Sequence, residues 1–323
     1  VSDEHPHILV SRCLGFAACR YNGGVVAAPF VESLKPFVRI TTACPEVSIG
    51  LGVPRAPIRL VDVDGATRLI QSATGLDVSD AMRNFGEELL AGAEDRYDGA
   101  ILKAGSPSCG HRDVKVYASS ERGSASRKGS GAFGGAVVAR CTLSPVEDEG
   151  RLRNADLRGH FLTRLFARAR FRAAARTEEV RELVLFHARH KLLLMAYNQV
   201  GMRELGRLAA NREHRTPMEM WTEYGRGFAA ALARAPRRGS AVNVLMHALG
   251  YVSERLSPQE RAFFLATLED YRIGRIPLSV ALRLMQAWIV RFDVPYLRDQ
   301  VFFEPYPREL LDELDSGKGR DVR

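Results

Sequence analysis

The amino-acid sequence predicts an α/β N-terminal domain with a mostly parallel sheet in residues 1–150, followed by an all-α C-terminal domain in residues 151–323. Three observations carry this prediction. The first half alternates short apolar runs with Gly/Pro punctuation and one clear helix, and strands separated by helical spacers imply a helix-covered parallel sheet. The second half carries apolar residues at helical spacing almost throughout. Charge divides at the same place: residues 1–150 hold 16 Lys+Arg against 18 Asp+Glu, a net of −2, whereas residues 151–323 hold 30 against 20, a net of +10.

In chain order, HILVSRC (7–13) reads as a buried strand, and FVRITTAC (37–44) as a second with a β-branched run. Leu76 to Tyr97 reads as a helix capped by Asp77 or Ser79, with Met82, Phe85, Leu89 and Leu90 on one face. DGAILKAG (98–105) and GGAVVARCTL (134–143) read as the third and fourth strands. The Gly/Ser-rich stretch 119–135 is expected to be a mobile loop or lid, and PVEDEGRLRN (145–154) a charged linker. Helices follow over 158–176, 177–210, 217–235, 241–256, 257–272 and 278–292. Their breaks fall at Thr216-Pro217, Pro236, Ser257-Pro258 and Ile276-Pro277. Ser257-Pro258-Gln259-Glu260 has the form of a capping box with proline at the first helical position.

Composition narrows the class. A hydrophobic fraction of 46% and a charged fraction of 26% are those of a globular protein. There is no run of about 18 apolar residues to span a membrane. The opening VSDEHPH lacks the basic start and apolar core of a secretory leader. Five scattered cysteines are too few for a disulfide scaffold, so reduced thiols in the cytoplasm are expected. The basic second half suggests a polyanionic partner such as nucleic acid; the alternative is a solvated, Arg-rich helical surface. No feature indicates a protein partner. No P-loop or fixed-period repeat is present.

Cys13 ends the first strand, Cys44 ends the second, and Cys109 follows the third in GSPSCG. Open α/β sheets bind ligands beyond the carboxyl ends of their strands, so three thiols distant in sequence can converge there. The alternative is three small buried residues. A closed zinc site would want a fourth ligand, for which Cys19 and Cys141 are candidates, whereas three thiolates alone leave a position open for substrate.

ILVSRCLGFAACRYNGG (8–24), ACPEVSIGLGVPRAPIRL (43–60), AILKAGSPSCGHRDVKVY (100–117) and GSGAFGGAVV (129–138) resemble the thiouracil desulfurase family. LVLFHARHKLLLMAYNQ (183–199), NVLMHALGYVSERLSPQER (243–261), LEDYRIGRIPLSV (268–280) and PYLRDQVFFEPYPREL (295–310) resemble the helical YbgA-type domain. The fused pair is similar to bacterial tRNA 4-thiouridine desulfidases. The resemblance implies a 4Fe–4S cluster held by Cys13, Cys44 and Cys109, with the fourth iron open to the sulfur of a thiolated pyrimidine. It also implies a non-redox hydrolysis in which thiocarbonyl and water give carbonyl and hydrogen sulfide, with tRNA carrying 4-thiouridine as partner. One departure is that the usual Cys-Leu-Leu-Gly reads Cys13-Leu14-Gly15-Phe16. No ligand role is carried onto Cys19.

Thiocarbonyl hydrolysis needs a general base and an acid. Glu46, two residues after Cys44, is the best-placed carboxylate; the alternative is an ion pair with Arg55 or Arg59. Ser106 is a candidate nucleophile, proton relay or substrate donor, and Ser108 a second, with turn capping as the alternative for both. In the helical half, His187, His190 and Lys191 share one helix face and are expected to bind phosphate or a base rather than metal. Arg237, Arg238, Asn243, His247, Arg272 and Arg275 would extend that cluster. Tyr271 and Trp288 can stack on a base but are better read as core. Two other functions stay open on the residues: a desulfidase of free thiouracil or thiouridine, and a non-enzymatic, metal-stabilised RNA-binding protein.

Overall fold

The computed structural model describes residues 5–119, 121 and 123–311. The first four residues of the expected leader-free start, two positions of the 119–135 stretch and the tail beyond 311 lie outside the described residues. The chain forms two compact units, one of residues 5–169 with 307–311 and one of Arg170–Tyr306.

The first unit contains two four-stranded sheets. Strands β1 (His7–Ser11), β2 (Arg39–Ala43), β3 (Ile58–Val63), β4 (Ala66–Gln71), β5 (Gly99–Leu102), β6 (Val114–Tyr117), β7 (Ser126–Gly129) and β8 (Val146–Asp148) divide between them. The larger structural role belongs to β2-β1-β5-β8, in which every pairing is parallel. Its central strands are almost wholly buried, as strands covered on both faces must be. The chain leaves β1 toward β2 on one side and returns in β5 on the other, so a crevice opens between their carboxyl ends. The other sheet, β4-β3-β6-β7, is mixed. Its β3–β4 hairpin turns at Asp64-Gly65, both at positive φ, the conformation that a two-residue turn demands.

Helices α1 (Pro29–Leu34), α2 (Pro45–Ser48), α3 (Ser79–Leu89), α4 (Ala93–Arg96), α5 (Ala132–Arg140) and α6 (Ala155–Ala175) complete this unit, the last crossing the unit division. The helix expected over 76–97 breaks at Gly92, which takes a left-handed conformation between α3 and α4. Asp77 accepts the Ser79 amide at 2.8 Å, and Met82, Phe85, Leu89 and Leu90 pack on the core as their spacing required.

Three expectations are corrected. GGAVVARCTL is not a strand: residues 132–140 form α5, with Phe133 and Val137 inward at helical spacing. The 119–135 stretch is not wholly a loop, since β7 pairs antiparallel with β6. The charged segment 145–154 is not a linker, because β8 pairs along β5 and a short 3-10 turn follows it. Its acidic side chains hid a strand whose backbone extends the sheet.

The second unit is helical: α7 (Val180–Tyr197), α8 (Gln199–Ala209), α9 (Pro217–Ala231), α10 (Arg238–Gly250), α11 (Pro258–Arg272), α12 (Leu278–Phe292) and α13 (Pro295–Arg298). The helix expected over 177–210 is two, because Asn198 is extended and its side chain caps α8 through the Gly201 amide. The capping box at Ser257 and Glu260 is present, and Thr216 with Glu219 forms another. Phe171, Phe186, Trp221, Tyr224 and Phe228 form an aromatic core. No helix among the described residues is long and apolar enough to cross a membrane.

Candidate metal centre

Cys13 lies two residues beyond β1, Cys44 directly beyond β2, and Cys109 in the loop after β5. All three line one cleft of about 220 Å³ at the carboxyl ends of the parallel sheet. Cys19 lines it too, whereas Cys141 does not and is instead buried beside Glu94 and Arg168.

Thiolates sharing one tetrahedral zinc lie about 3.8 Å apart. Among the described residues, only His111, Glu147 and Asp148 place three ligand atoms all within 4.8 Å of one another, and no cysteine trio does. Burial pushes the Cys13 thiol up to about 11, with neighbouring Cys44 adding and Lys103 opposing. Burial likewise pushes Cys109 up to about 12, against hydrogen bonds with Ser11 and Ser108, and Cys19 up to about 12, reinforced by Cys44. Unliganded, these groups are protonated, and a metal centre must displace their protons.

The Cys109 loop is held by α5. The amides of Ala132, Phe133 and Gly134 donate to the carbonyls of Pro107 and Ser108, and Gly131 donates to Gly110. Loop carbonyls thereby take up the amides left open at the start of the helix. Approach is close: a Cβ on Gly134 would sit 2.3 Å from the Cys109 carbonyl oxygen, and one on Gly131 2.6 Å from that of Ser108. The motif 129–138 is thus a clamp on the cysteine loop.

Glu46, in the first turn of α2, faces two partners. Arg55 donates to Oε2 through Nε at 2.8 Å and closes an ion pair there, so the alternative reading is realised with Arg55. Arg59 instead lies over the Tyr117 ring. The other oxygen, Oε1, accepts the Ser108 hydroxyl at 2.6 Å. Ser108 and Ser106 hydroxyls share a bond of 2.9 Å, and the Cys109 amide donates to Ser106 at 3.1 Å. Both serines therefore brace the turn and at the same time form a hydroxyl chain ending on Glu46.

Sequence reasoning missed several lining residues. Ser11 Oγ accepts the Lys103 amide at 2.9 Å. The Lys103 ammonium pairs with Glu149, whose other oxygen takes the Ala104 amide. Arg20 and Tyr21 also line the cleft. Position at the end of β1 and just beyond β5 was the available signal for Ser11 and Lys103.

Of the nine expected RNA-contacting residues in the helical unit, His190 is buried and the other eight are exposed or half-buried. His190 is a correction. It is 2% exposed, stacks on Phe186, and its Nδ1 bonds the Phe186 carbonyl oxygen, so it belongs to the core. His187 is half-buried against the Tyr224 hydroxyl at 3.0 Å, while Lys191 is exposed. Arg237, Arg238, Asn243 and His247 are exposed at or on α10. Arg238 lies over the Tyr271 ring. Arg272 and Arg275 are exposed but paired with Glu269 and Asp270. Tyr271 and Trp288 are buried, as their core reading required.

Comparison with known proteins matches residues 8–149 to the family described as 2-thiouracil desulfurase, and residues 191–307 to a family described as a protein of unknown function, DUF1722. The uncharacterized protein YbbK of Bacillus subtilis (strain 168) is 38% identical over 109 residues, covering 32% of this chain and 72% of that one. The uncharacterized protein YbgA of Escherichia coli (strain K12) is 28% identical over 127 residues, covering 39% and 75%. A solved structure of the 4Fe-4S-dependent thiouracil desulfidase TudS is 27% identical, with a TM-score of 0.36, and covers 46% of this chain and 93% of that one.

Proposed function

The chain belongs to the 2-thiouracil desulfurase family, and from that premise we propose that it is a desulfidase that removes sulfur from 4-thiouridine in tRNA, releasing hydrogen sulfide and leaving uridine. The observation that carries the reading is the convergence of Cys13, Cys44 and Cys109 on one cleft with Glu46, Ser106 and Ser108.

The donor set fits a 4Fe–4S cluster, because three soft thiols line one cleft and leave a position open for substrate. Cys13, Cys44 and Cys109 would hold it. When bound, it supplies a thiophilic iron with an open position for the substrate sulfur. Cys19 stands in the same cleft, so substitution there is the control for a fourth ligand.

The remaining chemistry falls to the chain. Water attacks C4 of the base, and Glu46 accepts its proton, oriented by Arg55 on the opposite oxygen. Ser108 and Ser106 carry protons along their shared hydrogen bond toward the departing sulfur. The Lys103 ammonium favours negative charge at that end of the cleft. Thiocarbonyl plus water gives carbonyl plus hydrogen sulfide, so no electron donor or acceptor is consumed.

The basic second half supports tRNA as substrate, with exposed Lys191, Arg237 and Arg238 neutralising phosphates. A base within folded tRNA must be turned out to enter such a cleft. Anaerobic turnover of 4-thiouridine-containing tRNA and of free 4-thiouridine, side by side, tests the assignment. The tRNA is expected to have the higher kcat/KM. Turnover of the nucleoside alone would make this a small-molecule enzyme, and turnover of neither by the iron-loaded chain would leave the binding-protein reading.

A further inference from the structure

A second set of ligating side chains lies outside the thiol cleft. His111 follows Cys109 by two residues, and Glu147 and Asp148 are the last residues of β8. One ligand atom from each lies within 4.8 Å of the other two. The side chains of His111 and Asp148 are 10% and 8% exposed. His111 Nδ1 is fully buried and has no hydrogen-bond partner. Asp148 Oδ2 is 3.7 Å from it, beyond hydrogen-bond range.

The charges around this nitrogen do not balance. Arg151 forks onto Glu147 at 2.7 and 3.2 Å, and its amide occupies Asp148 Oδ1 at 2.8 Å. One guanidinium thus answers one of two carboxylates. An unpaired, buried ring nitrogen facing two carboxylates remains, a combination that native structures rarely leave unanswered.

We propose that His111, Glu147 and Asp148 hold a first-row divalent cation that ties the Cys109 loop to the end of β8. Imidazole nitrogen with carboxylate oxygen suits the series from manganese to zinc. Each carboxylate oxygen has two lone pairs, so Glu147 can ligate without releasing Arg151. The ligands contain no sulfur, which separates this ion chemically from the thiol centre. The inference stands whether or not the chain is a desulfidase.

The test uses the full chain and manganese(II), which binds thiolates poorly. Loss of the free-ion electron paramagnetic resonance signal counts bound metal. The parent chain is expected to bind one manganese, and His111→Ala and Asp148→Asn to bind at least about tenfold more weakly. Cys13→Ser is expected to bind as the parent does. Circular dichroism checks the fold, with His111→Gln as the second variant should His111→Ala fail to fold. No uptake by the parent, uptake unchanged in the His111 and Asp148 variants, or uptake lost in Cys13→Ser would each overturn the proposal.

Discussion

Glu46 combines a structural partner, Arg55, with a chemical one, Ser108. The two can be separated by substitution. Glu46→Gln keeps the size of the side chain and is expected to retain iron but lose roughly 10²- to 10⁴-fold in kcat, as removal of a general base does. The Arg55 side chain is 3% exposed, so Arg55→Ala leaves the Glu46 carboxylate, 13% exposed, without its cation and should lower stability by about 3 kcal/mol, read from denaturant unfolding. His190 gives a pH signature. Burial lowers it from 6.5 to about 3 in the folded chain. Below pH 6.5 the unfolded chain takes up a proton that the native one refuses, so stability falls as pH drops from 6.5 and levels off near 3. His190→Leu should flatten that part of the acid limb in pH-dependent unfolding. The cysteines were legible because each follows a recognisable strand. Ser11 and Lys103 were not, since only the folded crevice brings them beside the thiols.

The elements show where pattern reading succeeds and where it stops. Strands β1, β2 and β5 and most of the later helices announced themselves by apolar runs and caps. Helix α5 did not, because Val137 and Val138 in a Gly-rich stretch suit a strand as well as a helix. What decides the matter is tertiary: the amides that start α5 find carbonyls in the Cys109 loop. Gly134→Ala is therefore expected to displace that loop and reduce bound iron per chain, measured by metal analysis after anaerobic reconstitution. Strand β8 was hidden by its charge and the β3–β4 hairpin by neglect of its Asp64-Gly65 turn signal. A contrasting substitution tests the helical unit by itself. Thr216→Ala removes one capping box and should cost about 1 kcal/mol of stability without changing iron content.

At the scale of the whole molecule, the proposal of a tRNA substrate rests on the division of charge between the two halves. If phosphate contacts deliver the substrate, kcat/KM for tRNA should fall steeply with salt while that for free 4-thiouridine stays nearly level. Arg237→Glu with Arg238→Glu should weaken tRNA turnover and reduce that salt slope, since both side chains are exposed beside α10. The measurement that bears most directly on the central claim is sulfide released per 4-thiouridine lost, using tRNA and the anaerobically reconstituted chain. The account predicts one sulfide for each uridine formed, four irons per chain, and no release from Cys13→Ser, Cys44→Ser or Cys109→Ser. Full iron loading of the parent chain with no sulfide released would contradict it.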